Sequence, residues 1–155
     1  PLQIATAYAG IARNGEEFEP HVLLSAVSRD GEGDAYTVQP RDRMKVEIKS
    51  SGSYDVVHRG LLAMIYDEAP STAAHFTNLP VKVAGKSGTG EKAGEENYGW
   101  FVTYAPYDDP KYVVACLIER GGFGSTCAMP AVRHVLGVLY DAPDATVYGV
   151  GDHMR

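Results

Sequence analysis

The sequence is poor in cysteine, in cationic residues and in long hydrophobic runs, and each shortage excludes a class of protein. Two cysteines, Cys116 and Cys127, are too few for a disulfide-rich scaffold, and their separation does not match zinc-ligand spacing. The 14 Lys and Arg residues are outnumbered by 20 Asp and Glu residues, which gives a net charge of −6. Because nucleic-acid binding needs clustered cations that neutralise phosphates, this balance argues against a nucleic-acid binder. The longest apolar run, residues 113–118, is far shorter than the roughly 20 residues that span a bilayer. The histidines also lack metal-ligand spacing, so we expect no metal site.

The remaining composition is that of a folded domain. A content of 45% hydrophobic and 22% charged residues is typical of globular proteins and excludes a disordered or collagen-like chain. The chain begins Pro1-Leu2-Gln3, without Met and without a signal peptide. We therefore expect a piece of a longer protein, and the lack of a targeting segment indicates no compartment. Cys116 and Cys127 lie close enough in sequence to pair across a strand–helix junction, although free thiols are the favoured alternative.

Apolar residues recur at helical spacing in three segments. The first is 1–14, with Pro at its first position and Asn14-Gly15 as its stop signal. The second is 54–67, and the third follows Pro130. The second helix places Val57, Leu61, Met64 and Ile65 on one face, and the predicted buried face of the third comprises Val132, Val135, Leu136 and Leu139. Each helix therefore has an apolar side for a core.

Strands are predicted elsewhere. Two short strands, 21–29 and 36–38, flank the turn-rich residues 30–34. Three longer strands follow, one leading from Val81 into 85–90, one at 98–105 and one at 111–119. The short connection between the last two predicts an antiparallel hairpin, and the continuous apolar run of 111–119 predicts a central strand buried on both sides. We expect an α+β fold, an antiparallel sheet flanked by helices, over residues 1–143, and a loosely ordered tail over 144–155.

The tripeptide Gly85-Lys86-Ser87 invites comparison with a phosphate-binding P-loop. That motif needs a glycine where this chain has Pro80, and the residues in between alternate like a strand. A helix should also follow, but residues 88–94 form a poor helix start. An NTPase is therefore not expected.

As a strand, the same residues form a different kind of site. Lys86 and Gly88 alternate with Ser87 and Thr89, and Gly88 lets a substrate approach the strand closely and add itself as a further strand. Without its surroundings, Lys86 would be an exposed edge cation with no role in chemistry.

The surroundings favour a role in chemistry. Residues 86–89 match the Lys-Thr/Ser-Gly motif of penicillin-binding proteins and serine β-lactamases. The helix from Pro1 to Asn14-Gly15 and the strand 83–90 resemble segments of one branch, the class B penicillin-binding proteins of the penicillin-binding protein 2 type. Residues 100–106, 119–122 and 128–130 resemble the following strand and turn, the end of the fifth strand and the start of the last helix. The resemblance spans residues 1 to about 140 and implies part of the transpeptidase fold that these proteins share with serine β-lactamases.

The resemblance also implies roles. Lys86 would set the positive potential of the cleft and assist proton transfer. The Ser87 and Thr89 hydroxyls would bind the carboxylate of a D-alanyl-D-alanine stem peptide, or of a β-lactam. The Thr89 backbone N–H would be one of two oxyanion-hole donors, and Gly88 would be permissive.

Two further motifs of the family are missing. No Ser has a Lys three residues later, and neither Ser-x-Asn nor Tyr-x-Asn occurs. Both precede the Lys-Thr-Gly motif in the family and would fall before Pro1. We therefore expect the C-terminal half of a transpeptidase domain, inactive by itself, from a parent enzyme that cross-links peptidoglycan through an acyl-serine intermediate.

The implied partners are stem peptides, β-lactams and other cell-wall synthesis proteins, and the resemblance implies no metal or organic cofactor. The implied location is the extracytoplasmic face of the bacterial cell membrane, with an anchor upstream. An exposed sheet edge would favour self-association. Two alternatives stay open, a serine β-lactamase or β-lactam sensor of the same fold, and a non-catalytic binding module derived from it.

Overall fold

The computed structural model describes residues 1–29, 36–39, 41–46, 48, 50, 52–68 and 70–142. The helices of this part are α1 (Leu2–Ala12), α2 (Ser53–Tyr66), α3 (Pro70–Phe76) and α4 (Ala128–Leu139). Its strands are β1 (Glu16–Phe18), β2 (Ser25–Ala26), β3 (Tyr36–Thr37), β4 (Asp42–Lys45), β5 (Ala84–Gly90), β6 (Tyr98–Ala105) and β7 (Tyr112–Ile118).

The main sheet has the order β5-β6-β7 and is antiparallel throughout. Two small antiparallel ribbons accompany it, β1 with β4 and β2 with β3. Helices contact the main sheet, so the predicted α+β architecture is confirmed.

Helices cover both faces of the main sheet. On one face the fully buried Tyr104 packs with Ala12 of α1 and Leu61 of α2. On the other face the fully buried Phe101 belongs to a larger cluster that includes Val132 of α4. Phe101 and Tyr104 point to opposite faces because side chains alternate along a strand. Buried residues therefore form a core on both sides of β6. Burial of one side chain of this size contributes about 1.5–3 kcal/mol to the free energy of unfolding.

The end of α1 is confirmed at Asn14-Gly15. Both residues have positive φ, 55° and 92°, which Gly adopts freely and Asn more readily than most residues. A Cβ at Gly15 would also lie 2.6 Å from the backbone oxygen of Val46. His58 Nε2 lies 3.1 Å from Asn14 Oδ1, and His58 Nδ1 lies 2.6 Å from the Tyr104 hydroxyl. These contacts tie the end of α1 to α2 and β6.

The position of β7 corrects one prediction. Within the described residues β7 pairs with β6 alone, and Val113 to Ile118 are only partly buried. The central strand is β6, in which Phe101 to Ala105 are all buried. An apolar run indicates two covered faces but not whether a strand has one hydrogen-bonded neighbour or two. The hairpin between 98–105 and 111–119 is confirmed.

Other element boundaries also differ from the predictions. The strand pair predicted at 21–29 and 36–38 is confined to Ser25–Ala26 and Tyr36–Thr37, and β5 starts at Ala84 rather than near Val81. The sequence pattern did not reveal β1, β4 or α3. Pro70 lies beyond the end of α2 and begins α3, where its missing N–H leaves no hydrogen bond unmade. The predicted turn at 30–34 and the predicted tail at 144–155 lie outside the described residues.

The last helix begins at Ala128, before Pro130, and its buried face differs from the prediction. Val132 and Leu136 are buried, but Val135 and Leu139 are 43% and 41% exposed. In α2, Met64 and Ile65 are buried whereas Val57 is exposed. Hydrophobic periodicity places the axis of each apolar face correctly but overestimates the width of the face that is buried.

A charged residue occupies part of the buried face of α4. Arg133 has no exposed surface, and its guanidinium donates hydrogen bonds of 2.6 Å to the His75 carbonyl oxygen and 2.7 Å to Asn78 Oδ1. Two more, of 3.2 and 3.1 Å, reach the Ala142 carbonyl oxygen. Arg133 therefore joins α4 to the end of α3 and to the segment after α4.

Cys116 and Cys127 are free, half-buried thiols. Burial raises the pKa of both, and the proximity of Cys127 raises that of Cys116 further. Cys116 and Cys127 therefore form no disulfide, and the favoured alternative of free thiols is confirmed.

Candidate functional site

The Lys86–Thr89 tetrapeptide lies within β5, in extended conformation. β5 forms the margin of the main sheet opposite β7, and within the described residues it pairs with β6 alone. The segment after Gly90 is a turn rather than a helix. This confirms the interpretation as a strand and is incompatible with a P-loop, which needs a helix N-terminus after the Lys-Ser pair.

β5 emerges from the core toward solvent along its length. Val83 and Ala84 are fully buried, and the Val83 N–H donates a 3.2 Å hydrogen bond to the Tyr66 hydroxyl of α2. Lys86 and Thr89 are exposed, and Ser87 is partly buried. The buried start fixes the strand, and its outer half presents the motif to solvent.

Alternation divides the motif between the two faces of the sheet. Lys86 pairs with Val102 and Gly88 with Trp100, on the face that carries Tyr104. Ser87 pairs with Phe101 on the opposite face. The Ser87 and Thr89 side chains therefore leave the backbone on one face and the Lys86 side chain on the other.

The Lys86 side chain folds back along the strand margin. Its Nζ donates to the Ser87 carbonyl oxygen at 3.0 Å and lies 3.4 Å from Ser87 Oγ. A cation is thus held next to a hydroxyl at an exposed sheet edge. Such an arrangement can bind a carboxylate through charge-assisted hydrogen bonds.

Gly88 is placed where a side chain would be crowded. A Cβ at Gly88 would lie 3.3 Å from Trp100 Cβ, tighter than ordinary van der Waals contact. Glycine therefore keeps the strand close to its neighbour and leaves this face of the sheet without a side chain at position 88.

The loop at 119–127 lies against the motif, which sequence reasoning did not predict. Gly124 packs directly on the backbone of Trp100 and Gly88, so a Cβ there would collide with both carbonyl oxygens. Gly99, which pairs with Thr89, also faces this loop. Phe123 precedes Gly124 and is 64% exposed, so the loop that packs on the motif strand carries an accessible aromatic side chain. The one signal in the sequence is the cluster of glycines at 121–124, directly after a strand.

Glu95 connects the two loops beside the motif. Its carboxylate lies 2.5 Å from Lys92 Nζ and 3.7 Å from the Arg120 guanidinium, and it accepts a 3.1 Å hydrogen bond from the Tyr98 hydroxyl. The Gly122 N–H donates to the Asn97 carbonyl oxygen at 3.0 Å. These contacts brace the β5–β6 loop against the loop that carries Gly124.

Two cavities lie near α1, away from the motif residues. One, of about 380 Å³, is lined by α1 and the start of β7, and the other, of about 530 Å³, is lined by the end of α1 and by α2. Across the described ranges, no three His, Cys, Asp or Glu residues are placed to hold a metal ion. Nor does any helix in those ranges have the length and apolar character that crossing a membrane requires.

The chain matches the family model of the penicillin binding protein transpeptidase domain over residues 1–137. It is 29% identical over 153 residues to the peptidoglycan D,D-transpeptidase MrdA of Haemophilus influenzae, a match that covers 88% of this chain and 23% of that protein. The chain thus spans about a quarter of the length of the curated relatives it matches.

Two solved structures have the same fold. One is Pseudomonas aeruginosa PBP2 in complex with WCK 5153, with a TM-score of 0.71 and 26% identity over 90% of this chain and 30% of that chain. The other is the D,D-transpeptidase domain of a peptidoglycan glycosyltransferase from Eggerthella lenta, with a TM-score of 0.70 and 30% identity over 90% of this chain and 32% of that chain. The resemblance to class B penicillin-binding proteins of the penicillin-binding protein 2 type is thereby confirmed, and the chain belongs to the penicillin-binding protein transpeptidase domain family.

Proposed function

We propose that this chain forms one wall of the active site of a D,D-transpeptidase, which cross-links peptidoglycan stem peptides through an acyl-serine intermediate and binds β-lactams. The observation that carries the proposal is the position of Lys86–Thr89, which is extended at the margin of the main sheet with the side chains of Lys86 and Thr89 exposed. Family membership supports the reaction class, and the family description supports β-lactam binding.

The backbone of β5 binds the substrate peptide. An exposed strand edge offers N–H and C=O groups to an extended peptide, which adds as a further strand. Gly88 leaves the sheet face beside this edge free of a side chain, which lets a ligand approach the backbone closely. A stem peptide that ends in D-alanyl-D-alanine can bind in this way, and a β-lactam mimics its terminal dipeptide.

The hydroxyls of Ser87 and Thr89 bind the ligand carboxylate. They project from the same face because they lie two residues apart in a strand. Lys86 adds a positive charge close to Ser87, in a chain whose net charge is −6. The Lys86 ammonium group attracts the anionic substrate and assists proton transfer from the attacking hydroxyl, while Phe123 contacts apolar parts of the ligand.

The Thr89 N–H stabilises the oxyanion that forms when the nucleophile attacks the carbonyl carbon. A fixed backbone donor needs no reorganisation as charge develops, and loss of one such donor costs about 3 kcal/mol. The second donor is the backbone N–H of the nucleophile. The 155 residues contain no Ser-x-x-Lys motif, so we place the nucleophile in polypeptide outside them.

The proposed reaction also implies a cellular location and partners for the protein. The substrate is extracytoplasmic, so we place the chain at the outer face of the bacterial cell membrane, as part of a membrane-anchored enzyme. Other cell-wall synthesis proteins are its expected partners there. No cofactor takes part, because acyl transfer through serine needs only the nucleophile, a base and oxyanion donors.

The test measures acylation of the complete transpeptidase that contains this chain by a fluorescent penicillin. Lys86→Ala should lower the second-order acylation rate constant by about 100-fold or more, because it removes preorganised positive charge from the site. Lys82→Ala is the matched control, since Lys82 is also exposed and lies four residues earlier on the same segment. Equal rates for wild type and Lys86→Ala would remove Lys86 from the mechanism.

A second measurement tests the position of the nucleophile. Residues 1–155 alone should form no stable adduct with a penicillin, as judged by intact-protein mass spectrometry. An acylated 155-residue chain would contradict the proposal. In the complete protein, rapid turnover of the acyl adduct would identify a β-lactamase instead, and complete absence of acylation a non-catalytic module.

A further inference from the structure

The Thr89 N–H and the Gly88 carbonyl oxygen belong to one peptide unit of β5. A trans peptide is planar, and its N–H and C=O groups point in opposite directions. A contact that holds the Gly88 carbonyl oxygen in place therefore also sets the direction of the Thr89 N–H. This direction matters for the proposed oxyanion donor, because a donor stabilises developing charge best when it is fixed before the reaction.

The loop at 119–127 contacts this peptide unit directly. A Cβ built on Gly124 would lie 2.5 Å from the Gly88 carbonyl oxygen and would also collide with the Trp100 carbonyl oxygen. Because Gly88 and Trp100 are partners in the register of β5 and β6, Gly124 rests on both strands at once. The position of this loop therefore limits how far the Gly88–Thr89 peptide can rotate.

The backbone of this loop is held by contacts from outside it. Arg120 has a φ of 56° and Gly122 a φ of 77°, so both residues lie in the left-handed region. That region is unfavourable for a residue with a side chain, and Arg120 stays there because the surrounding structure compensates. Gly122 makes one such contact, since its N–H donates a 3.0 Å hydrogen bond to the Asn97 carbonyl oxygen of the β5–β6 loop.

Glu95 makes the side-chain contacts between the two loops. Its carboxylate accepts a 3.1 Å hydrogen bond from the Tyr98 hydroxyl and lies 3.7 Å from the Arg120 guanidinium. Tyr98 is the register partner of Gly90, the last residue of β5. The Glu95 side chain is only 26% exposed, so solvent screens its contacts less than it screens an ion pair on the open surface. Glu95 therefore joins the start of β6 to the loop that carries Gly124.

We propose that Glu95 is a positioning residue for the oxyanion donor, and that it acts by keeping Gly124 against the Gly88–Thr89 peptide. This role rests on the proposed transpeptidase function and adds to it a residue outside the motif. Glu95 needs no contact with the substrate to fulfil it. Loss of Glu95 should slow the acylation step without weakening the preceding non-covalent binding, because the donor acts on charge that develops in the transition state.

Stopped-flow acylation of the complete transpeptidase by a fluorescent penicillin tests the proposal, because it separates the acylation rate constant from the dissociation constant of the initial complex. Glu95→Gln should lower the acylation rate constant by about fivefold, the loss expected of one partly screened ion pair, and change the dissociation constant by less than about twofold. Glu96→Gln is the matched control, since Glu96 is an exposed carboxylate next to Glu95 and its loss changes the net charge equally. This control should acylate at the wild-type rate.

Arg120→Gln removes the same contact from the other loop and should slow acylation to a similar extent. The double variant should be no slower than Glu95→Gln, because both substitutions remove one interaction. Circular dichroism of each variant checks that it is folded, and either single variant suffices if the other is not. A wild-type acylation rate constant, an effect on the dissociation constant alone, or single effects that multiply in the double variant would overturn the role of Glu95.

Lys86→Ala in the same assay separates this role from the proposed function. A slow Lys86→Ala beside a Glu95→Gln that acylates at the wild-type rate would refute the role of Glu95 alone. A Lys86→Ala that acylates at the wild-type rate would refute the proposed function and, with it, the role of Glu95.

Discussion

Gly124 offers the sharpest test of the packing that supports the candidate site. In the structure a Cβ at this position would lie 2.5 Å from the Gly88 carbonyl oxygen and 2.8 Å from the Trp100 carbonyl carbon. Carbon–oxygen contacts in proteins are ordinarily about 3.3 Å or longer, so the added methyl group has roughly 1 Å too little room. The obstructing atoms belong to the backbone of two paired strands and cannot rotate away. The loop must therefore move off the sheet.

Gly124→Ala should consequently lower the free energy of unfolding by about 1–3 kcal/mol, the usual cost of overpacking. Gly60→Ala is the matched control, because Gly60 lies inside α2 with nothing within 4 Å of the added methyl group. Alanine is the better helix former, so this variant should gain about 0.5–1 kcal/mol. Urea denaturation of the 155-residue chain measures both changes. If Gly124→Ala were as stable as wild type, the loop would not rest on the motif strand.

Three further predictions concern other parts of the fold. Arg133→Met should lower the free energy of unfolding in urea by about 1–3 kcal/mol, because it removes the fully buried donor of the His75 carbonyl oxygen and Asn78 Oδ1; a smaller loss would contradict the stabilising role of this network. Burial lowers the pKa of His58 more than Asp55 raises it, so the unfolded chain binds the proton more readily. Stability should therefore be constant above about pH 6.5 and fall below it, and a His58→Gln variant with the same pH profile as wild type would refute this. Cys116 and Cys127 should both react with iodoacetamide, much more slowly in the folded chain than in urea because burial raises the pKa of each thiol; a chain without reactive thiols in urea would indicate a disulfide.

The sequence predicted well the parts of the fold that local patterns determine. The end of α1 follows from Asn14-Gly15, whose conformations suit few other residues. The β6–β7 hairpin follows from two apolar segments joined by a short connection rich in proline and aspartate. The extended conformation of Lys86–Thr89 follows from the alternation of the preceding residues and from the absence of a glycine at position 80.

The features that the sequence missed depend on contacts between distant segments. The apolar run of β7 does not reveal how many strands flank it, because hydrogen-bonded neighbours leave no trace in side-chain polarity. Arg133 is buried because carbonyl groups from two distant segments meet it, and no local pattern predicts that. Gly124 and Gly88 are distant in sequence and come into contact only in the folded structure. The candidate site was therefore predictable at its motif, but not at the loop that packs beside it.

The most direct test of the account is a crystal structure of the complete transpeptidase acylated by a β-lactam. The account predicts the ligand carboxylate within about 3 Å of the Ser87 and Thr89 hydroxyls, and the acyl oxygen at a similar distance from the Thr89 N–H. The ligand should also lie in an extended conformation along the outer edge of β5. An acyl group attached elsewhere, with this edge empty or covered by protein, would contradict the central claim that the margin at Lys86–Thr89 binds the substrate.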